Sequence, residues 1–238
     1  LARQTRARVL AEQGQQVDAE QLLAADRDAA GLVDLAIVRL RADDIGGAAR
    51  PAAQAVRVAP RDPAALTVQG EVVRLRYGPT AALRWFEAAL QRDAYHVPAL
   101  LAYAATLGDA GRHADMLAAT RKALVARPND PQALYLQAVL AIRARNLDLA
   151  QSLFHRAGAI DRTIPAAALV SGMIDYDKGR YEQAIGTWRD LVARQPMNLI
   201  ARRALAAALL RSGDATAAVD VLRPMVDRGD ADSYTLTL

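Results

Sequence analysis

Small and apolar residues return along this chain at a fixed interval of 34 positions. With units opening at Ala29, Pro63, Val97, Pro131, Pro165 and Leu199, the eighth column holds Ala36, Gly70, Ala104, Ala138, Gly172 and Ala206. In the same register the twentieth column holds Ala48, Ala82, Met116, Ala150, Ala184 and Ala218, and the twenty-seventh holds Ala55, Ala89, Ala123, Ala157, Leu191 and Met225. The twenty-fourth column alternates with these small positions in size, carrying Phe86, Phe154, Trp188 and Leu222. Small residues opposite bulky ones at helical spacing predict close-packed helices with filled gaps between them.

The punctuation between apolar stretches gives each unit its shape. Asp62-Pro63 and Asp130-Pro131 pair a capping side chain with the residue suited to a first helical turn. Near the middle of the units come Gly46-Gly47, Tyr77-Gly78, Gly111, Asn146, Gly179 and Gly213, which can adopt positive φ and end one helix before the next. Pro60, Pro128 and Pro196 close three second helices, because proline cannot continue a helix. The reading is a chain of helical hairpins over 29–62, 63–96, 97–130, 131–164, 165–198 and 199–232. An irregular hairpin over 1–28, carrying Ala7, Leu10, Gly14, Ala19 and Leu23, precedes them, and 233–238 opens a further unit that is cut off. A single solenoid over 1–238, taken from a longer repeat protein, is the expected organisation.

Composition narrows the chemistry. The 238 residues contain no cysteine, which excludes a disulfide scaffold, a thiolate metal site and a cysteine nucleophile. Hydrophobic residues make up 53% but aromatics only 5%, which favours helices over sheet, and no apolar run reaches the length of a membrane-spanning helix. The net charge of +4 comes from 30 basic and 26 acidic residues interleaved along the chain. Without a basic block, nucleic acid is not an expected partner. His96, His113 and His155 fall in separate units and form no metal set, and Asp175 to Gly179 lacks the later ligands of a calcium loop. Neither a catalytic constellation nor a cofactor motif emerges, so no enzyme activity, cofactor or metal is expected.

These columns resemble the tetratricopeptide repeat (TPR), a 34-residue helix-turn-helix with small residues at eight, twenty and twenty-seven, a large one at twenty-four and proline at thirty-two. Gly172, Tyr176, Gly179, Tyr181, Ala184, Trp188 and Pro196 carry the clearest match. Ala94, Arg162 and Asp230 depart from the closing proline, and Ala52 and Thr120 from the large residue. The resemblance implies an all-α fold, a right-handed solenoid or superhelix of stacked antiparallel helix pairs, with the first helices lining a concave groove.

The resemblance also implies that columns two, five, six, nine, twelve and thirteen of each first helix face that groove. The partner-binding residues expected on this ground are Val33, Ile37, Thr67, Glu71, Leu101, Tyr135, Val139, Leu169, Met173, Tyr176 and Arg203. Arg74, Arg143, Asp177 and Arg211 fall at its polar margin. Most of the lining is apolar, and the family's carboxylate clamp of lysine and asparagine at columns five and nine is absent. The expected function is a non-catalytic scaffold that holds an apolar or amphipathic protein segment in the groove. The alternative is a recruitment or regulatory arm of a larger enzyme or of a bacterial envelope system for exopolysaccharide export or secretion. Core between adjacent helices is the competing reading of the same apolar stripe. No signal segment is present, which leaves bacterial cytoplasm and periplasm both open.

Overall fold

The structure is a computed structural model that describes residues 2–24, 26–158 and 165–227. Among them there are fourteen helices and no strand. In chain order they are α1 (Ala2–Glu12), α2 (Gln16–Leu23), α3 (Ala29–Arg41), α4 (Ile45–Val58), α5 (Pro63–Tyr77), α6 (Pro79–Arg92) and α7 (Val97–Asp109). They continue as α8 (His113–Ala126), α9 (Pro131–Arg143), α10 (Leu147–Ala157), α11 (Pro165–Asp177), α12 (Tyr181–Arg194), α13 (Leu199–Ser212) and α14 (Ala215–Val226). The chain divides into two compact units, Leu1–Leu136 and Gln137–Leu238, the division falling within α9.

In the first unit the core is a series of small clusters, each shared by neighbouring hairpins. Ala7, Ala11, Ala19 and Leu23 of α1 and α2 meet Leu35 and Val38 of α3. Leu32, Val33 and Ala36 of α3 pack with Ala48, Ala52 and Ala55 of α4 and with Ala65, Val68 and Val72 of α5. Phe86 of α6 joins Val73 of α5 and Ala102 of α7. In the second unit Trp188 of α12 packs with Leu205, Ala206 and Leu209 of α13 and Leu222 and Met225 of α14. Within each unit these hairpins bury apolar side chains on the hairpins next to them, the packing of helical repeats.

Glycine in column eight has a specific cause where the partner is aromatic. A Cβ on Gly172 would lie 2.3 Å from Nε1 of Trp188, and one on Gly70 would lie 2.6 Å from the Phe86 ring. The missing side chain lets each ring sit against the first helix of its own hairpin while it also reaches the next one. Proline inside α4 is accommodated in another way. Pro51 cannot donate to the Gly47 carbonyl four residues earlier, and Arg39 of α3 supplies that bond through Nη1 at 2.9 Å.

Helix starts follow the capping chemistry of the sequence. Asp62 accepts from Ala64 N and Asp130 from Ala133 N, each at 3.0 Å. Two of the expected turns are corrected. Gly46 and Gly47 lie inside the first turn of α4, and the positive φ falls on Asp43 at 59°. Likewise Asn146 caps α10 by accepting from Leu149 N at 3.0 Å, and Arg145 takes the positive φ of 56°. In both places the side chain that caps the second helix fixes where that helix starts, so the left-handed residue is the one before the cap. The residues 233–238, read as the opening of another unit, lie outside the described residues.

Candidate functional site

The columns expected to face a partner can be located in each unit separately. In the first unit Arg74, twelfth residue of α5, donates through Nη1 to Oδ2 of Asp109, thirteenth of α7, at 3.5 Å. Arg74 also bonds Glu71 on its own helix at 2.9 Å, so Glu71, Arg74 and Asp109 form one chain of charge across neighbouring first helices. In the second unit Arg211, thirteenth residue of α13, donates through Nε to the hydroxyl of Tyr176, twelfth of α11, at 3.3 Å. Each unit therefore brings these columns of adjacent first helices onto one shared face.

The two units differ in how open that face is. Val33, Thr67 and Leu101, all fifth-column residues of the first unit, are 6–7% exposed. Val33 belongs to the core shared by α3, α4 and α5. The Thr67 hydroxyl turns back to donate to the Pro63 carbonyl of its own helix at 2.6 Å. What remains accessible there is the half-buried pair Ile37 and Glu71, with the charged chain at their edge. Tyr135, on the first-unit part of α9, is half-buried, and burial pushes its phenol above the usual range. Within this unit the fifth column is core at Val33, Thr67 and Leu101 and half-buried at Tyr135, and Glu71, Arg74 and Asp109 at the polar margin bond one another.

In the second unit the same columns stay accessible. Met173 is 56% exposed, and Val139, Leu169, Tyr176 and Arg203 are half-buried. Leu169 and Tyr176 lean on the cluster around Trp188, Leu205 and Leu209. Tyr176 meets Tyr181 edge-on at 5.3 Å between ring centroids and Trp188 at 6.1 Å. Trp188 in turn donates from Nε1 to the Leu169 carbonyl at 3.2 Å. These rings occupy the space beneath α11 and hold it as a rigid floor.

Ile200, in the second column of α13, is an accessible residue outside the expected set. It is 67% exposed. A signal for it exists in the sequence, because the second column otherwise carries Ala30, Ala64, Pro98, Gln132 and Ala166. Asp175 to Gly179, which superficially suggests a cation loop, is the end of α11 and the turn into α12, with Asp175 bound by Arg180 at 2.6 Å. Among the described residues no group of three or more histidine or carboxylate side chains is placed to hold a metal ion, and no helix is long and apolar enough to cross a membrane.

Comparison with known proteins agrees with this architecture. Residues 169–233 match the tetratricopeptide repeat family. No curated protein sequence matches the chain. Among solved structures, PilF of Pseudomonas aeruginosa superposes with a TM-score of 0.74 at 16% identity, covering 88% of this chain and 95% of PilF. PilW, a widely conserved type IV pilus biogenesis factor, gives 0.71 at 17% identity over 88% of this chain and 97% of PilW. YrrB, a TPR protein with an unusual peptide-binding site, gives 0.59 at 15% identity over 78% and 96%. The match places a tetratricopeptide repeat within residues 169–233, and the likeness in fold extends over most of the chain, which is all-α among the described residues.

Proposed function

We propose that the protein is a non-catalytic scaffold that binds a protein partner through the exposed face of its first helices, using an apolar or amphipathic segment of that partner. The observation that supports this reading is the accessibility of apolar side chains on that face in the second unit, Met173 above all. An apolar side chain left in water at the centre of an ordered helix face gains free energy when a complementary surface covers it. The charged residues beside it supply register and selectivity more than affinity.

The test compares affinity capture by the full chain with capture by a Val139→Glu, Met173→Glu variant whose helicity and melting match the parent. A protein retained by the parent and lost from the variant supports the reading. Equal retention by both would refute it. A second reading, a recruitment arm of a larger bacterial envelope machine for secretion or exopolysaccharide export, draws on the likeness in fold to PilW, a pilus biogenesis factor. Under that reading the captured protein is a component of such a machine.

A further inference from the structure

Resting on the scaffold reading, the second unit carries enough detail to describe the kind of segment it takes. The α11 stripe Leu169, Met173 and Asp177 and the α13 stripe Arg203, Ala207 and Arg211 repeat every fourth residue, so each lies along one side of its helix. The bond between Tyr176 and Arg211 ties the two helices at one end of this face. One turn back from it, Met173 and Ala207 are the ninth residues of their helices, so the exposed thioether of α11 is matched on α13 by a short side chain. Ile200 continues the apolar strip towards the start of α13.

The charge on α13 has one sign. It holds three arginines and no acidic residue. Arg202 is committed to backbone, donating to the Pro196 carbonyl at 2.7 Å and the Val221 carbonyl at 2.8 Å. Arg211 gives only its Nε to Tyr176, and its side chain is exposed, so the outer edge of its guanidinium faces solvent. The Tyr176 hydroxyl accepts from Nε, and the ring that carries it packs on Tyr181 and Trp188, so the acceptor that Arg211 bonds is held in place. A guanidinium with its outer edge free at the end of an apolar strip suits a carboxylate approaching with two parallel hydrogen bonds. Asp175 of α11 is taken by Arg180 and Asp148 of α10 by Lys178, which leaves Asp177 as the acidic group at this end of α11.

We infer that the α11–α13 face binds a protein segment whose apolar side chains cover Met173 and Ala207 and whose acidic side chain, placed at one end of the apolar run, pairs with Arg211. Charge complementarity selects this class over a basic amphipathic segment, which would meet Arg203 and Arg211 with like charge.

A random dodecapeptide library displayed on phage tests the inference whatever the natural partner is. It is selected against the full chain and against Arg211→Glu and Ala207→Trp variants that keep the parent's helicity and melting. Peptides selected by the parent are expected to carry an apolar run with Asp or Glu at one end. That acidic preference should vanish from the Arg211→Glu pool. A parent-selected peptide should bind Arg211→Glu about tenfold more weakly, since a hydrogen-bonded ion pair is exchanged for a repulsion. Ala207→Trp, which puts a bulky ring at the α13 position matching Met173, should weaken the same peptide by at least as much. Acidic enrichment that persists against Arg211→Glu, or binding indifferent to Ala207→Trp, would overturn the inference while leaving a scaffold that binds elsewhere. Failure of the parent chain to select any peptide would overturn the scaffold reading together with it.

Discussion

At the scale of single residues, the second unit depends on a missing methyl group. Gly172 lets Trp188 lie against α11, where its indole donates to Leu169 and supports Tyr176. Gly172→Ala would place a Cβ 2.3 Å from the indole nitrogen, and neither the ring nor the helix can yield without disturbing the other. The expected cost is about 1–3 kcal/mol, read as a lower urea midpoint with unchanged slope. A Trp188→Leu replacement in the same chain should make Gly172→Ala nearly neutral. Asp34 shows the opposite case, a charge in a closed place. It is buried on α3 and bonded through Oδ1 to Nε of Arg8 at 2.9 Å. Burial pushes its carboxyl above the usual range, Arg8 opposes that shift, and Asp26 and Asp28 add to it. Because the folded-state value lies above the unfolded one, protonation favours the folded chain. The stabilisation is complete below the ordinary aspartate value of about 3.9 and is lost as the pH rises through the raised folded value. Asp34→Asn removes this dependence. Melting of the two proteins across the acid-to-neutral range should show the parent losing ground to the variant as the pH rises, and parallel curves would contradict the assignment.

At the scale of helices, the 34-residue offset is visible in the starts of α3, α5, α7, α9, α11 and α13, which lie at the positions where Asp, Asn or Pro can open a helix. The turns were less legible, because two demands compete there. Gly46, Gly47 and Asn146 suit positive φ, yet Asp44 and Asn146 are also good caps, and capping decided the outcome at Asp43 and Arg145. The candidate face was legible as an angle around each helix but not as a distance to the next helix. Column five therefore looked alike throughout, whereas Val33, Thr67 and Leu101 are core and Leu169 and Arg203 are half-buried. That difference depends on what packs against each position, which does not follow from the column alone. The capping argument gives a direct prediction for α13. Asn198 accepts from Ala201 N at 3.0 Å and donates from its amide to Gln195 at 3.0 Å. Asn198→Ala should cost about 0.5–2 kcal/mol in thermal or urea unfolding, and Asn198→Asp should recover most of it.

At the scale of the molecule, the core of each unit, among the described residues, is a succession of clusters shared between neighbouring hairpins. Stability then adds up from hairpins and the contacts between adjacent ones, and damage is expected to spread only to the next neighbours. Trp188 provides the sharpest test. It touches α11 through Leu169 and Gly172, and its cluster reaches α13 and α14 through Leu205, Leu209 and Leu222. Truncation to alanine removes a large buried ring and typically costs about 3–5 kcal/mol. In a chain with one indivisible core, that loss would lower the protection of every slowly exchanging amide by a similar factor. In a chain of nearest-neighbour contacts, Trp188→Ala should release the amides of α11, α12, α13 and α14 from protection, while those of α3 to α6, which share their clusters with one another, keep theirs. Hydrogen exchange resolved by peptide separates the two outcomes. Uniform loss would show that the clusters unfold as one.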